Sequence, residues 1–461
     1  MQGEFRADVT RDTFDRRHLF SRVIMQQGRV FLDADWNEQT SILLDYLRTL
    51  AMDVIGPHAG PGDGFQIDEN DEAGTALPKG FGLRRGRYYV DGFLCENPGF
   101  RLYGDAAARP VLGVDGEPRA GAGTFIAYLD VWERHVTALA VPEIAEIALN
   151  GPDTATRAQV VWEVRALVPQ AGDPVNTKAA AEQTFRQRVT APTTVALRAR
   201  VDPGEPSTAP CTIDPEARYR GAENQLYRIE IHRGGAAGTG ANNADAATFT
   251  WSRDNGSVEI PIRSMSQGKV RVTTLGRDDR RSLHENEWVE IVDAAQPGRK
   301  RRLWQIAAVQ RDDLVVTLKP QDGIPLPEVP PDPQRRLSLR RWDHGGDPAV
   351  LSEGAIVVRE SAAADEDGWI TLEDGIQVSF AAGAGHVYRA GDYWLIPART
   401  QTGGLLWPPS PADRTADPYP AVAPHGVEHH YAPLAVVTVD NNGQITSPPL
   451  ALRNVIHPVG S

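Results

Sequence analysis

Along most of this chain, apolar and polar residues alternate at a period of two, in short runs broken by glycine, proline, asparagine or aspartate. That is the pattern of half-buried β-strands joined by tight turns. Asp-Gly and Asn-Gly pairs supply the positive φ that two-residue hairpins require, and they predict four hairpins. These turn at Asp91-Gly92, Asn255-Gly256, Asp374-Gly375 and near Asn442-Gly443. Two longer alternating runs, Thr124–Trp132 and Ala158–Leu167, read as strands, with a short helical or irregular link over 142–149. A second short helix is expected around Lys178–Gln187.

One segment breaks the period. Gln26–Leu32 reads as an extended stretch, and the apolar spacing then lengthens to three and four residues. Asp35 is placed to cap a helix, with Glu38 three residues later as its capping-box partner. Gly56-Pro57 stops the helix after Ile55. Leu43, Leu47, Leu50 and Val54 form one apolar stripe on it, preceded by Trp36. Such a stripe packs either on its own domain or on copies of itself.

The expected fold class is therefore mainly β: a multi-domain, sandwich- or barrel-like body with one N-terminal amphipathic helix. Residues 1–64 read as an arm for attachment or oligomerisation, and 65–265 as a β-rich domain with long Pro/Gly loops. Residues 266–322 read as a small SH3-like or OB-like barrel with strands at Lys269–Thr273, Trp288–Val292, Arg302–Val309 and Leu314–Leu318. Residues 323–461 form a C-terminal β-rich domain, either separate or continuous with 220–265 across the barrel.

Composition narrows the function classes. The 461 residues suffice for about two to four domains. The net charge of −13 disfavours nucleic acid and anionic membrane as general partners. The basic run Arg299-Lys-Arg-Arg302 is a local exception and reads as a solvated turn or a contact with an acidic neighbour. Two cysteines, Cys95 and Cys211, exclude a disulfide framework. No apolar run is long enough to span a membrane. The first residues lack the apolar core of a signal peptide, so synthesis in the cytoplasm is expected.

Candidate chemistry is sparse. His425, His429 and His430, with Glu428, form the densest histidine cluster, but Pro424 and Gly426 keep it from the helical His-Glu-x-x-His arrangement of zinc proteases. They stand as weak metal ligands against a plain loop leading into a strand. Asp33 and Asp35 read as helix-start residues rather than an acid/base pair. Asp130, Glu133 and Glu163 lie beside Trp132 and Trp162, but nothing sets the two-carboxylate spacing a glycosidase needs. Asp365-Glu-Asp-Gly368 lacks the other ligands of a calcium loop. No nucleophile elbow, P-loop or dinucleotide fingerprint occurs, so no cofactor is expected. Gly234–Gly240 reads as a hairpin loop. Trp342, Trp394 and Trp407 are candidate aromatics for a glycan if they are exposed.

The opening stretch Gln26-Gln-Gly-Arg-Val-Phe-Leu-Asp-Ala-Asp-Trp-Asn-Glu-Gln39 resembles the start of an uncharacterised bacterial family associated with phage-tail-like contractile injection systems. Ala127–Arg134, Gly151–Arg157, Glu223–His232, Phe249–Ser257, Tyr393–Arg399 and Pro424–Leu434 resemble the same family. The opening is also similar, more weakly, to N-termini of phage tail-fibre and baseplate proteins, in which such a helix attaches or trimerises the subunit. The resemblance implies a non-enzymatic structural subunit at the baseplate, around the spike or at a fibre attachment, located finally in an assembled particle. It further implies a homo-oligomer, a trimer first, held through Trp36, Leu43, Leu47, Leu50 and Val54. The alternatives are a module binding cell-surface glycan and a cargo effector of the same particle.

Overall fold

The structure is a computed structural model that describes residues 5–104, 111–113, 121–149, 154–189, 194–204, 218–239, 245–276, 278–293, 302–321, 324–327, 336–345, 351–362, 368–408 and 419–457. The protein is mainly β, with two α-helices among the described residues: α1, Asp33–Ile55, and α2, Lys178–Val189. No helix among these residues is long and apolar enough to cross a membrane. Contacts divide the chain into two units, each assembled from several segments.

The first unit takes in 1–39, 135–158 and 193–427. Its centre is a six-stranded sheet in the order Leu351–Ser352, Ala355–Val357, Thr248–Ser252, Gln225–Arg233, Tyr393–Arg399, Gly404–Leu405. A second sheet contains Leu197–Val201, Ile376–Ala381, Glu360–Ser361 and Ile370–Thr371. Both contribute to one core, with Tyr227, Ile229, Ile231, Phe249 and Trp394 from the first sheet and Leu197, Val378 and Phe380 from the second. Alternation along Gln225–Arg233 sends Tyr227, Ile229 and Ile231 into that core and Arg228 and Glu230 to the opposite face.

The same unit holds a closed barrel of six strands, ordered Glu259–Ser266, Lys269–Val272, Val315–Leu318, Leu303–Gln310, Trp288–Asp293, Leu337–Trp342. Ile260, Val270, Val289, Trp304, Ile306, Val316 and Leu339 fill it. The four strands expected within 266–322 are present, and two more close the barrel from outside that span. Closure removes the exposed edges an open sheet of this size would carry.

The second unit takes in 40–134, 159–192 and 428–461. Its long sheet runs Leu450–Ala451, His430–Val439, Gly123–Val136, Arg157–Leu167, Leu112–Gly113. A four-stranded sheet contains Val455–Ile456, His58–Pro61, Gly86–Val90 and Phe93–Asn97. Phe65, Tyr88, Phe93, Phe125, Leu129 and Leu434 belong to the common core. α2 packs Ala181 and Phe185 against Ile126, Tyr128 and Leu452.

The turn expectations meet mixed outcomes. Asp91-Gly92 closes a two-residue hairpin, pairing Val90 with Phe93, with both turn residues at positive φ. Asp374-Gly375 joins Ile370–Thr371 to Ile376–Ala381. At Asn442-Gly443 the chain turns, but only a single bridge, Val439 to Ile445, follows. Asn255-Gly256 takes the positive φ of a hairpin turn without making a hairpin. Thr248–Ser252 belongs to the six-stranded sheet and Glu259–Ser266 to the barrel, so this turn hands the chain from one to the other. Gln26–Leu32 forms no strand either. It turns at Gln27-Gly28, where the Arg29 N–H donates to the Gln26 carbonyl at 3.4 Å. Among the described residues no strand pairs with it, and an unpaired strand leaves its backbone groups to water.

Candidate functional site

The helix α1 is inverted relative to an ordinary surface helix. At 3.6 residues per turn, Ala34, Glu38, Ile42, Asp45 and Arg48 share one side, and Trp36, Leu43, Leu47, Leu50 and Val54 share the other. The first side is the covered one: Ala34 and Ile42 are buried, and Glu38, Asp45 and Arg48 are partly buried. The apolar side is open. Trp36 is 64% exposed, Leu43 53%, Leu47 57%, Leu50 49% and Val54 76%, with Leu44 and Tyr46 exposed on its flanks. A surface helix ordinarily turns its apolar stripe to the core and its charges to water.

Polar contacts hold this orientation. In the second unit, the Arg48 guanidinium lies 3.7 Å over the Phe93 ring and pairs with Glu133 at 2.8 Å. Gly92 sits directly beneath: a Cβ there would come within 2.6 Å of the Arg48 carbonyl oxygen, and its φ of +80° already disfavours a side chain. The hairpin glycine thus also admits the helix backbone.

In the first unit, Thr10 and Thr13 tie down the start of α1. The helix begins at Asp33, two residues before the predicted cap. The Asp33 carboxylate accepts from the Thr10 N–H at 2.8 Å and from the Thr10 hydroxyl at 2.5 Å. Glu38 accepts from the Thr13 hydroxyl at 2.6 Å. The Asp35–Glu38 capping box is therefore replaced by long-range partners from the preceding segment, which a local motif search cannot see. Between that anchor and the helix, Leu19, Phe20, Ile24, Met25, Val30, Phe31 and Leu32 are all exposed. The apolar residues that a globular body would cover are concentrated, uncovered, over 19–54.

The segment Phe5–Thr10 is itself docked. It lies on the charged face of Gln225–Arg233, where Arg6 pairs with Glu230 at 2.5 Å. Arg228, fully buried, pairs with the same carboxylate at 2.5 Å, donates to the Phe5 carbonyl at 3.0 Å and stacks 3.6 Å from the Tyr393 ring. Asn255 donates to the Ala7 carbonyl at 2.9 Å and accepts from Arg228 at 3.1 Å. Burial pushes the Glu230 carboxyl upward, but the two guanidiniums outweigh it and its pKa is lowered on balance. Distant partners build this cluster, and its one trace in the sequence is Arg228 and Glu230 alternating inside an otherwise apolar strand.

The other candidates are accounted for structurally. In the first unit, His425 donates its backbone N–H to the Tyr393 carbonyl at 2.7 Å and packs its ring on Tyr393. Desolvation pulls its pKa down to about 3. In the second unit, His429 meets Asp130 at 2.5 Å, and His430 meets Asp91 at 3.0 Å. Asp130 also forms an ion pair with Arg165 at 2.9 Å, so its carboxylate is shared between an imidazole and a guanidinium. Glu163, beside Arg165 at 3.6 Å, has its pKa raised by burial. Among the described residues no group of three or more His, Cys, Asp or Glu is arranged to hold a metal ion.

The tryptophans need correction. Trp342 and Trp394 are 1% and 0% exposed and cannot stack on a glycan. Trp342 packs with Leu303 and Ala355, and the Trp394 indole donates to the Val422 carbonyl at 2.8 Å. Their strands are buried on both faces, which aromatic identity alone does not reveal. Trp407 is partly buried against the same core as Trp394, its indole bound to the Pro420 carbonyl at 3.0 Å. Arg299–Arg301, Cys211, Asp365–Asp367 and Gly240 lie outside the described residues.

The sequence profile of a family of unknown function, DUF6519, matches residues 1–194 and 180–446, and the chain belongs to this family. No curated protein matches the chain. No solved structure matches it.

Proposed function

We propose that this member of the DUF6519 family is a non-enzymatic structural subunit of a contractile, phage-tail-like particle, assembled through α1. The observation that carries the proposal is the inverted helix, whose polar side is used within the chain and whose leucine side is left for a partner. The positions Leu43, Leu47, Leu50 and Val54 advance by four, three and four residues, the spacing of a coiled-coil seam. With Trp36, Leu44 and Tyr46 the open stripe amounts to roughly 800 Å², taking about 200 Å² for a large apolar side chain. That equals one partner's share of a standard interface, about 800 Å². The resemblance of the opening motif to tail-fibre and baseplate N-termini supports a trimer and a place at the baseplate, spike surround or fibre attachment.

The test is the mass of the purified full chain by native mass spectrometry at micromolar concentration, with electron microscopy of particles from the host. A threefold mass and density for this subunit in a contractile particle are expected. A single-chain mass at all concentrations, together with particles that lack the protein, would sink the proposal. The glycan alternative loses its best residues with Trp342 and Trp394 buried.

A further inference from the structure

A cleft of about 450 Å³ opens in the first unit beside the N-terminal segment, lined by Ala7–Arg11, the start of α1 and the ends of the strands near Gln225 and Arg399. That volume is in the range of small-ligand sites. Its walls carry four arginines and four carboxylates, and what matters is which of them remain uncommitted.

Each acid is engaged. Asp8 pairs with Arg281 at 2.7 Å, and Glu223 pairs with Arg280. Asp254 lies 3.4 Å from Arg280 and 3.5 Å from Arg341. Asp33 accepts both donors of Thr10.

Two guanidiniums are left over. Among the described residues Arg399 donates only to main-chain carbonyls, those of Ala398 and Thr10 at 3.0 Å and of Gln225 at 3.4 Å. Arg11 makes no hydrogen bond or ion pair among the described residues, and its charge acts on Arg399. Burial first, and Arg11 second, lower the Arg399 pKa. Asn224, on the same wall, spends its carbonyl oxygen on the Thr400 N–H and hydroxyl, and its amide NH2 has no acceptor among the described residues. Among the described residues the uncommitted groups of Arg11, Arg399 and Asn224 are thus all donors, and the two guanidiniums repel each other with no carboxylate paired to either.

We propose that this cleft binds an oxyanion, a carboxylate or phosphate group, held between Arg11 and Arg399 with the Asn224 amide as a third donor. Guanidinium forks take two oxygens in parallel, and the anion would relieve the repulsion between the two arginines. Val9 and Leu32 give the remainder of the ligand an apolar wall. The site does not depend on the assembly proposed for α1.

Isothermal titration of the full chain with inorganic phosphate and, separately, succinate tests this at pH 7 and constant ionic strength. The wild type is expected to bind at least one of them. Arg11→Gln should weaken that binding by about tenfold, the worth of one charge-assisted hydrogen bond. Arg29→Gln, which removes an exposed charge outside the cleft, should leave it unchanged. Phosphate alone, succinate alone or both would support the proposal and identify the head group preferred. Absence of binding of both anions by the wild type, or equal weakening by Arg11→Gln and Arg29→Gln, overturns it.

Discussion

Replacing Leu47 and Leu50 together by glutamate separates the two uses an apolar stripe can have. Each side chain is about half exposed in the single chain, so an interface has roughly 100 Å² of each still to cover. At about 25 cal/mol per Å², that is about 2.5 kcal/mol per leucine and about 5 kcal/mol per copy, an upper bound before the costs of association. Burying two carboxylates instead adds a desolvation penalty of several kcal/mol per ion. The single chain loses little, because glutamate and leucine have similar helix propensity and exposed substitutions cost within about 0.5 kcal/mol. The expected result is therefore a fall to single-chain mass in native mass spectrometry or light scattering, with the far-ultraviolet circular dichroism unchanged. An unchanged oligomeric mass would refute the interface. Loss of the folded spectrum would refute the exposure on which the calculation rests, since it would make these leucines core.

Three further outcomes follow from contacts inside the units. Arg6→Ala leaves the buried Glu230 with one cation in place of two, and should destabilise the first unit by about 1.5–3 kcal/mol in denaturant titration, the worth of one charge-assisted hydrogen bond; a loss under about 1 kcal/mol would mean the N-terminal segment is not docked in solution. His58 is buried against the Tyr88 hydroxyl and desolvation lowers its pKa to about 4, so the unfolded chain takes up a proton below pH 6.5 that the folded chain does not. Its contribution should be full above pH 6.5 and lost progressively down to about pH 4, on the order of 3 kcal/mol, and His58→Gln should flatten that slope in urea melts across the window. Gly92→Ala should destabilise the second unit by more than about 1 kcal/mol, combining a positive φ with a clash on the Arg48 carbonyl; a melting temperature equal to wild type would show that α1 does not rest on this hairpin.

What was legible in the sequence was whatever depends on neighbours in the chain. Period-two alternation and Asp-Gly turns were enough for the β class, four of the six barrel strands and the hairpin at Asp91-Gly92. What depends on distant partners was not. Thr10 and Thr13 displaced the Asp35–Glu38 capping box because their hydroxyls reach the helix start from more than twenty residues away in sequence. Asn255-Gly256 has the chemistry of a hairpin turn, but no local pattern tells that its two strands go to different sheets. Trp342 and Trp394 sit in strands buried on both faces, where alternation no longer separates inside from outside.

The periodicity of α1 is legible in the sequence, but a hydrophobic stripe has no direction until the rest of the surface is known. Its orientation is settled by the opposite side of the helix, where Arg48 has two specific partners and Gly92 leaves room for the backbone. A single chain with that side engaged must expose the leucines. The open area of roughly 800 Å² exceeds the 300–600 Å² typical of the largest apolar patch on a monomer. Rotating α1 by half a turn would bury the leucines but would break the Arg48–Glu133 pair and lift the Arg48 guanidinium off the Phe93 ring. The single chain therefore gives up leucine burial to keep a polar seat for the helix. That trade is stable in an assembly that covers the stripe, and it is why we place the function on this face rather than on any side-chain cluster in the body.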